Sequence, residues 1–187
     1  MIGNDIVDLF SAQKESNWKR KGYLDKIYTA SEQHLIRSSI DPDCMVWILW
    51  SMKEASYKAN NRITGIKEYA PTKINCSIDQ IENNVYLGRT TYNNLEYYSR
   101  TEVFKEYIHT IALCNAADFS DIKEIIISNH PSNYVDYLKK NNYLMFSERI
   151  VKDKFGIPNL FNDITKKSKP ISISHHGNFL SLVFSKE

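Results

Sequence analysis

The chain has 187 residues, 42% hydrophobic and 25% charged, which is enough to bury the core of one ordinary domain or of two small lobes. A net charge of +2 gives no footprint for nucleic acid, and the 12 tyrosines read as packing rather than as a base-stacking surface. Three cysteines, Cys44, Cys76 and Cys114, fit no zinc spacing and predict reduced thiols in the cytoplasm. Asp5 and Asp8 inside the first apolar run argue against a signal peptide, and no apolar run is long enough to cross a membrane.

Residues 2–9 read as a buried strand carrying two acids. Acids are unwelcome in a strand interior unless they act, or unless they cap or pair at its end. Residues 14–26 are polar with isolated apolar anchors, a helix and a loop. Thr29 and Glu32 form a capping box, which makes Glu32 structural and starts a short helix that ends near Ser38.

Asp41-Pro42 then opens the central helix, with a carboxylate cap followed by a proline where a missing N–H does no harm. Apolar side chains cover most of the circumference through Met52, so the helix over 46–59 is expected to be buried. Glu54 and Lys58 share one face of it. A buried carboxylate has to be paired or hold a metal, and a helix ion pair is the simpler of the two readings. Lys53 either faces a ligand or snorkels at the helix edge.

Residues 60–71 read as a loop around Gly65. Residues 73–77, 84–87, 94–101 and 107–114 are rich in β-formers and separated by turn residues, an antiparallel meander packed on the helix. Residues 116–121 are the candidate linker. A strand at 124–128, a helical repeat of Tyr134, Tyr137 and Leu138 within 131–141, and a strand at 148–152 follow. Strands at 171–174 and 179–184 flank His175-His176-Gly177-Asn178. The expected fold class is α+β, with a helix and strands in each half; that these are two similar lobes, each an antiparallel sheet on a helix, related by a pseudo-twofold with the site between them, is what the resemblance described below implies. His34, His109 and His130 read as structural, set apart from acids; His176 reads as a surface residue, and Lys166, Lys167 and Lys169 as a solvated basic loop.

Three stretches carry chemistry: Gly3-Asn4-Asp5-Ile6-Val7-Asp8, Trp50-Ser51-Met52-Lys53-Glu54-Ala55-Ser56-Tyr57-Lys58, and Ser172-Ile173-Ser174-His175-His176-Gly177. A strand carboxylate and a helix carboxylate can converge on one magnesium, which prefers oxygen ligands and keeps several waters. With a lysine added, the set suits a phosphate-containing substrate. Ser-x-Ser-His before a glycine could bind a further phosphate.

Together these stretches resemble the signature motifs of the 4′-phosphopantetheinyl transferases: Gly-x-Asp-Ile, then Trp-Ser-x-Lys-Glu-Ala-x-Tyr-Lys, then Ser-Ile-Ser-His. Tyr28-Thr29-Ala30-Ser31-Glu32 and Tyr107-Ile108-His109-Thr110 resemble two lesser steps of the same pattern. The resemblance implies transfer of phosphopantetheine from coenzyme A to a serine of an apo acyl or peptidyl carrier protein, as in fatty-acid synthesis, with release of adenosine 3′,5′-bisphosphate. It implies Asp5 and Glu54 as ligands of Mg2+, or of Mn2+, which accepts the same oxygens. Lys58 matches the lysine on the coenzyme's phosphates, and Ser174 and His175 match the pair at its nucleotide end. Asp5, Glu54 and Lys58 are thereby the catalytic set, and the serine proton goes to Glu54 or to a metal-bound water.

The chain departs from the pattern in two places. Val7 stands where two-lobed members carry another acid, with Asp8 one position further. Gly156-Ile157-Pro158 resembles their Gly-Lys-Pro with the lysine lost, and Lys152 or Lys154 is the nearest substitute. The motif order is also reversed, so residues 1–117 match the usual second lobe, with the metal site, and 118–187 the first, with the coenzyme's nucleotide side. A circular permutation would explain this and would bring the two chain ends together in a monomeric pseudo-dimer. In the competing version, Ser174 and His175 act across to a neighbouring subunit. A binding module that grips coenzyme A or a carrier without turnover is the alternative function.

Overall fold

All seven residues of the first strand, β1 (Ile2–Asp8), are buried, its two aspartates included. The computed structural model describes residues 1–129 and 131–186, and places β1 between the two halves of the chain. On one edge β1 pairs antiparallel with β5 (Tyr107–Leu113), so that Asp5 lies opposite Thr110. Strands β2 (Asn75–Glu82), β3 (Val85–Tyr92) and β4 (Leu95–Val103) complete this sheet in the order β1-β5-β4-β3-β2. The second sheet is built from β6 (Ile122–Ser128), β7 (Glu148–Lys152), β8 (Pro158–Asn162), β9 (Ser168–His176) and β10 (Phe179–Ser185), in the order β6-β10-β9-β8-β7. Each lobe is therefore a strand, a helical excursion, and a four-stranded meander whose last strand returns to the first. The fold is the two-lobed α+β arrangement expected, with one strand order used twice.

The excursion in the first lobe holds α1 (Leu9–Glu15), α2 (Tyr23–Ile27), α3 (Ala30–Ser38) and α4 (Pro42–Thr64). In the second it is the single helix α5 (Tyr134–Lys140), whose Leu138 joins a core with Ile125, Leu160 and Leu182. Asp41 caps α4 as the sequence indicates, its carboxylate accepting from the Cys44 N–H at 2.9 Å. The helix runs past the expected end at residue 59, because Gly65 supplies the left-handed terminus, with φ of 70°. Helix α1 starts earlier than expected because Asp8 caps it, and the supposed linker is a short 3₁₀ helix, Ala116–Asp121. Strand β8 was not anticipated: proline at its start and alternating polar residues hide its period.

Alternation along β1 decides what faces α4. Gly3, Asp5 and Val7 point at the helix, and α4 meets them with a stripe of small residues, Ser51, Ala55 and Ala59. A Cβ on Gly3 would lie 2.0 Å from the Ala55 carbonyl oxygen and 2.6 Å from the Ala59 nitrogen. Both obstacles are helix backbone and cannot rotate away. Gly3→Ala is therefore expected to destabilise the protein by about 3 kcal/mol, the upper range of overpacking, read as a lower urea midpoint. An unchanged midpoint would mean that strand and helix are not in this contact.

The outer edge of β1 is covered by the other lobe through side chains rather than through a sheet ladder. The N–H groups of Asn4, Ile6 and Asp8 donate to Ser172 Oγ at 2.9 Å, Ser174 Oγ at 3.2 Å and His176 Nδ1 at 2.9 Å. Every second residue of β9 thus satisfies every second N–H of β1, which leaves no open edge. His176 is not the surface residue expected: it bridges β1 and α1, with Nε2 3.3 Å from Glu15. Nor is His109 set apart from acids. It is buried at 2% exposure, with Nδ1 3.5 Å from Glu124 and Nε2 2.8 Å from Ser181 Oγ. His130 lies outside the described residues. Arg62, near the end of α4, ties the lobes again through the carbonyls of Pro158 and Ile171, at 2.8 and 2.7 Å. The chain ends lie together: Met1 and Ser185 border one small cavity. Among the described residues, no helix is long and apolar enough to cross a membrane.

Candidate active site

Beside the small-residue stripe of α4 runs a second one, Glu54, Lys58 and Arg62, which faces the junction of the lobes. Strand β1 brings Asp5 against it, and β9 brings Ser174 and His175. Asp5, Glu54 and His175 border one cavity of about 290 Å³, with Trp47 and Trp50 on its apolar side. The three sequence stretches therefore converge within a single chain, although they span nearly its whole length.

The connections are not all those the spacing suggested. Lys58 pairs with Asp5 Oδ1 at 3.1 Å, not with Glu54 one helical turn away. Its other two protons go to the Asn4 carbonyl at 2.9 Å and to Ser174 Oγ at 3.0 Å, so all three donors point inward. Ser174 in turn donates to Asp5 Oδ1 at 2.9 Å. Both side-chain bonds to Asp5 land on one oxygen, which leaves the lone pairs of Oδ2 for a cation. His175 is exposed at the cavity rim. Asp8 lies outside the cavity. It accepts from the Phe10, Ser11 and Asn178 N–H groups, at 3.0, 3.0 and 2.9 Å. Burial pushes its carboxyl up, but those donors outweigh burial and hold it below the usual aspartate value. It is a cap, the structural alternative for an acid at a strand end.

Glu54 has the opposite balance. Burial, and then the charge of Asp5, raise its carboxyl above the ordinary glutamate value, and Lys58 and Tyr69 offset this only in part. Tyr69 was not identified from the sequence. It packs edge-on against Tyr57 and Trp50, with ring centroids 4.9 and 6.1 Å away, and its hydroxyl lies beside Glu54 without a well-formed hydrogen bond. Nothing in the loop around residue 69 marks it; only the packing of three rings brings it there. Two repelling carboxylates suit a bound cation, because positive charge relieves the repulsion. Among the described residues, no group of three or more His, Cys, Asp or Glu gathers as a metal site. A cation here would rest on two protein oxygens and complete its shell with water and phosphate, as magnesium does.

Lys53 belongs to another unit. It is wholly buried, neither facing a ligand nor snorkelling, and pairs with Glu32 at 2.8 Å. It also donates to the carbonyls of Pro71, at 2.9 Å, and Ile74. Glu32 closes the capping box with Thr29 and accepts from the Cys76 N–H at 2.8 Å. Lys169 lies in β9 rather than on a loop, its ammonium over the Phe184 ring. A second cavity, of about 410 Å³, opens on the other side of Lys58 and is bordered by Lys67, Lys152 and Ile157. Lys154 instead lies over the Phe155 ring. A larger groove, about 900 Å³, adjoins the site at Trp47, but its acids are already engaged: Asp41 as a helix cap, and Asp43 by Trp18 and Lys19.

Residues 1–112 match the sequence model of the 4′-phosphopantetheinyl transferase superfamily. The chain belongs to that superfamily. The match runs from β1 into β5 and takes in α4 and the acidic pair, and so joins the geometry above to phosphopantetheinyl transfer as a reaction class. No curated protein matches this transferase-family chain. Among solved structures, the crystal structure of Thermotoga maritima holo-acyl-carrier-protein synthase aligns over 84% of this chain and 83% of its own, at 12% identity and a TM-score of 0.44.

Proposed function

We propose that this superfamily member transfers the 4′-phosphopantetheine group of coenzyme A to a serine of an apo acyl or peptidyl carrier protein, with Mg2+ or Mn2+ held by Asp5 and Glu54. What supports this reading most is that Asp5, Glu54 and His175, from three distant stretches, border one cavity at the lobe junction, with Lys58 bonded in its wall. The cation, when bound, would supply positive charge against the pyrophosphate and its developing negative charge. The carrier serine oxygen forms the new bond to phosphorus, the pyrophosphate P–O bond breaks, and adenosine 3′,5′-bisphosphate leaves. In this reading Glu54, which borders the cavity the carrier serine would enter, is the side chain placed to accept the serine proton. Lys58 lies between the two cavities and can serve the phosphates only by giving up one of its inward bonds. Lys67 and Lys152 supply the charge that Ile157 does not. His175 meets the nucleotide end of the coenzyme. The three free cysteines accord with a cytoplasmic setting. The joined chain ends and the repeated strand order accord with a permuted pseudo-dimer divided near residue 117.

A binding module without turnover is the second reading, favoured by Val7, which is packed into the core, and by Ile157. One assay separates the two. Protein, coenzyme A, Mg2+ and an apo carrier are mixed and the carrier is weighed; a gain of one phosphopantetheine is the expected result. Unchanged masses across a panel of carriers, with normal coenzyme binding, would establish the module.

A further inference from the structure

Ser174 lies within the motif that a nucleotide contact would use, yet its hydroxyl has no capacity left. A serine hydroxyl offers one donor and two acceptor sites. Here the proton goes to Asp5 Oδ1 at 2.9 Å, and the lone pairs accept from Lys58 at 3.0 Å and from the Ile6 N–H at 3.2 Å. The side chain is also buried, at 5% exposure, whereas its neighbour His175 is on the outer face of the strand. A coenzyme atom could reach Ser174 only by displacing a bond already made to the acid or to the lysine.

We propose that Ser174 is a positioning residue for Asp5 and Lys58, and not a coenzyme contact. Its hydroxyl reaches from the second lobe to both Asp5 and Lys58 of the first. It fixes Asp5 by holding Oδ1, so that Oδ2 is presented to the cavity in a single orientation, and it keeps the Lys58 ammonium on the same oxygen. Outer partners of this kind orient ligating carboxylates, and their loss commonly weakens metal binding by about 10- to 100-fold. The carboxylates of the first lobe would then form a competent site only when β9 is docked on β1, which couples the joining of the lobes to cation binding.

The inference rests on Asp5 and Glu54 holding a divalent cation, and its test keeps the two ideas apart. Ser174→Thr and Ser174→Val add the same bulk and differ only in the hydroxyl; Ser174→Ala removes the hydroxyl without added bulk and guards against misfolding of the larger pair. Mn2+ affinity is measured by electron paramagnetic resonance, and coenzyme A affinity by calorimetry in chelator. The threonine variant should bind Mn2+ within about threefold of wild type, and the valine and alanine variants about tenfold or more weakly. Coenzyme affinity should stay within about threefold in all of them. Unchanged Mn2+ binding in Ser174→Val and Ser174→Ala would overturn the proposal alone. So would a selective loss of coenzyme A in those variants, which would make Ser174 a nucleotide contact. Wild-type protein that binds no Mn2+ would overturn both the proposal and the cation site beneath it.

Discussion

Glu54→Gln is expected to remove phosphopantetheinyl transfer, by about 10³-fold or more in kcat, while the folded protein becomes as stable as wild type or more so. The glutamine keeps the size of the side chain and deletes only the charge. That charge is a burden to the fold, since burial and Asp5 raise the Glu54 carboxyl above the ordinary glutamate value. For a group so raised, the stabilising contribution is full below its unfolded pKa and is lost as pH rises through the folded one. Removing the ionised form should therefore abolish a decline in stability at pH values above the ordinary glutamate range. Cation binding runs the other way: it needs the carboxylate, so Mn2+ affinity should rise through the same pH window in wild type and be flat there in Glu54→Gln. Asp5→Asn should match it in lost transfer but not in stability, because Asp5 anchors Lys58 and Ser174. Thermal melts and initial rates on the same preparations decide the matter. Near-wild-type turnover in either variant would reject both as ligands.

The second large effect is on stability alone. Glu32→Gln should cost about 3–5 kcal/mol, the usual penalty for breaking a buried ion pair from one side. The Lys53 ammonium would be left in a dry site with neutral partners alone, the Pro71 and Ile74 carbonyls, the Tyr28 ring and the amide oxygen of the new glutamine, and no compensating charge. Lys53→Met should cost less, because Glu32 keeps the Thr29 and Cys76 N–H groups that bond to it. The double variant should recover most of the loss, because two buried charges leave together. Urea denaturation of the four proteins closes the cycle and measures the coupling directly. Losses that simply add would show that the two groups do not act as a pair. Lys53 lies one position before Glu54, yet transfer per folded molecule should be little changed in these variants, since Lys53 points away from the cavity into the α3–β2 side of the helix.

The contrast between Lys53 and Lys58 shows where sequence reading reaches its end. Both sit on one helix beside the same glutamate; either could be a ligand contact, the alternative being an ion pair for Lys58 and a snorkelling edge lysine for Lys53. Spacing offered Glu54 to Lys58, and the structure gave Lys58 to Asp5 and Lys53 to Glu32. Helical periodicity states which residues share a face. It does not state which strand will cross that face, and the crossing of β1 over Ser51, Ala55 and Ala59 is what chose the partners. His176 and Asp8 were misjudged or left open for the same reason: the turn after β9 meets the start of α1, a contact between residues far apart in the chain.

The residues alone determined the helix caps at Asp41 and Thr29, the meander and the three stretches that carry chemistry, because each of these follows from local periodicity, local hydrogen bonding or residue type. Only the tertiary structure decided that Ser174 faces inward and His175 outward, that Tyr69 sits beside Glu54, and that Lys53 is paired in the core with Glu32 while Lys58 is paired with Asp5. Those outcomes depend on the edge of β1 and the side chains of β9 satisfying one another, and hydrogen bonds between strands about 170 residues apart leave no periodic trace along the chain.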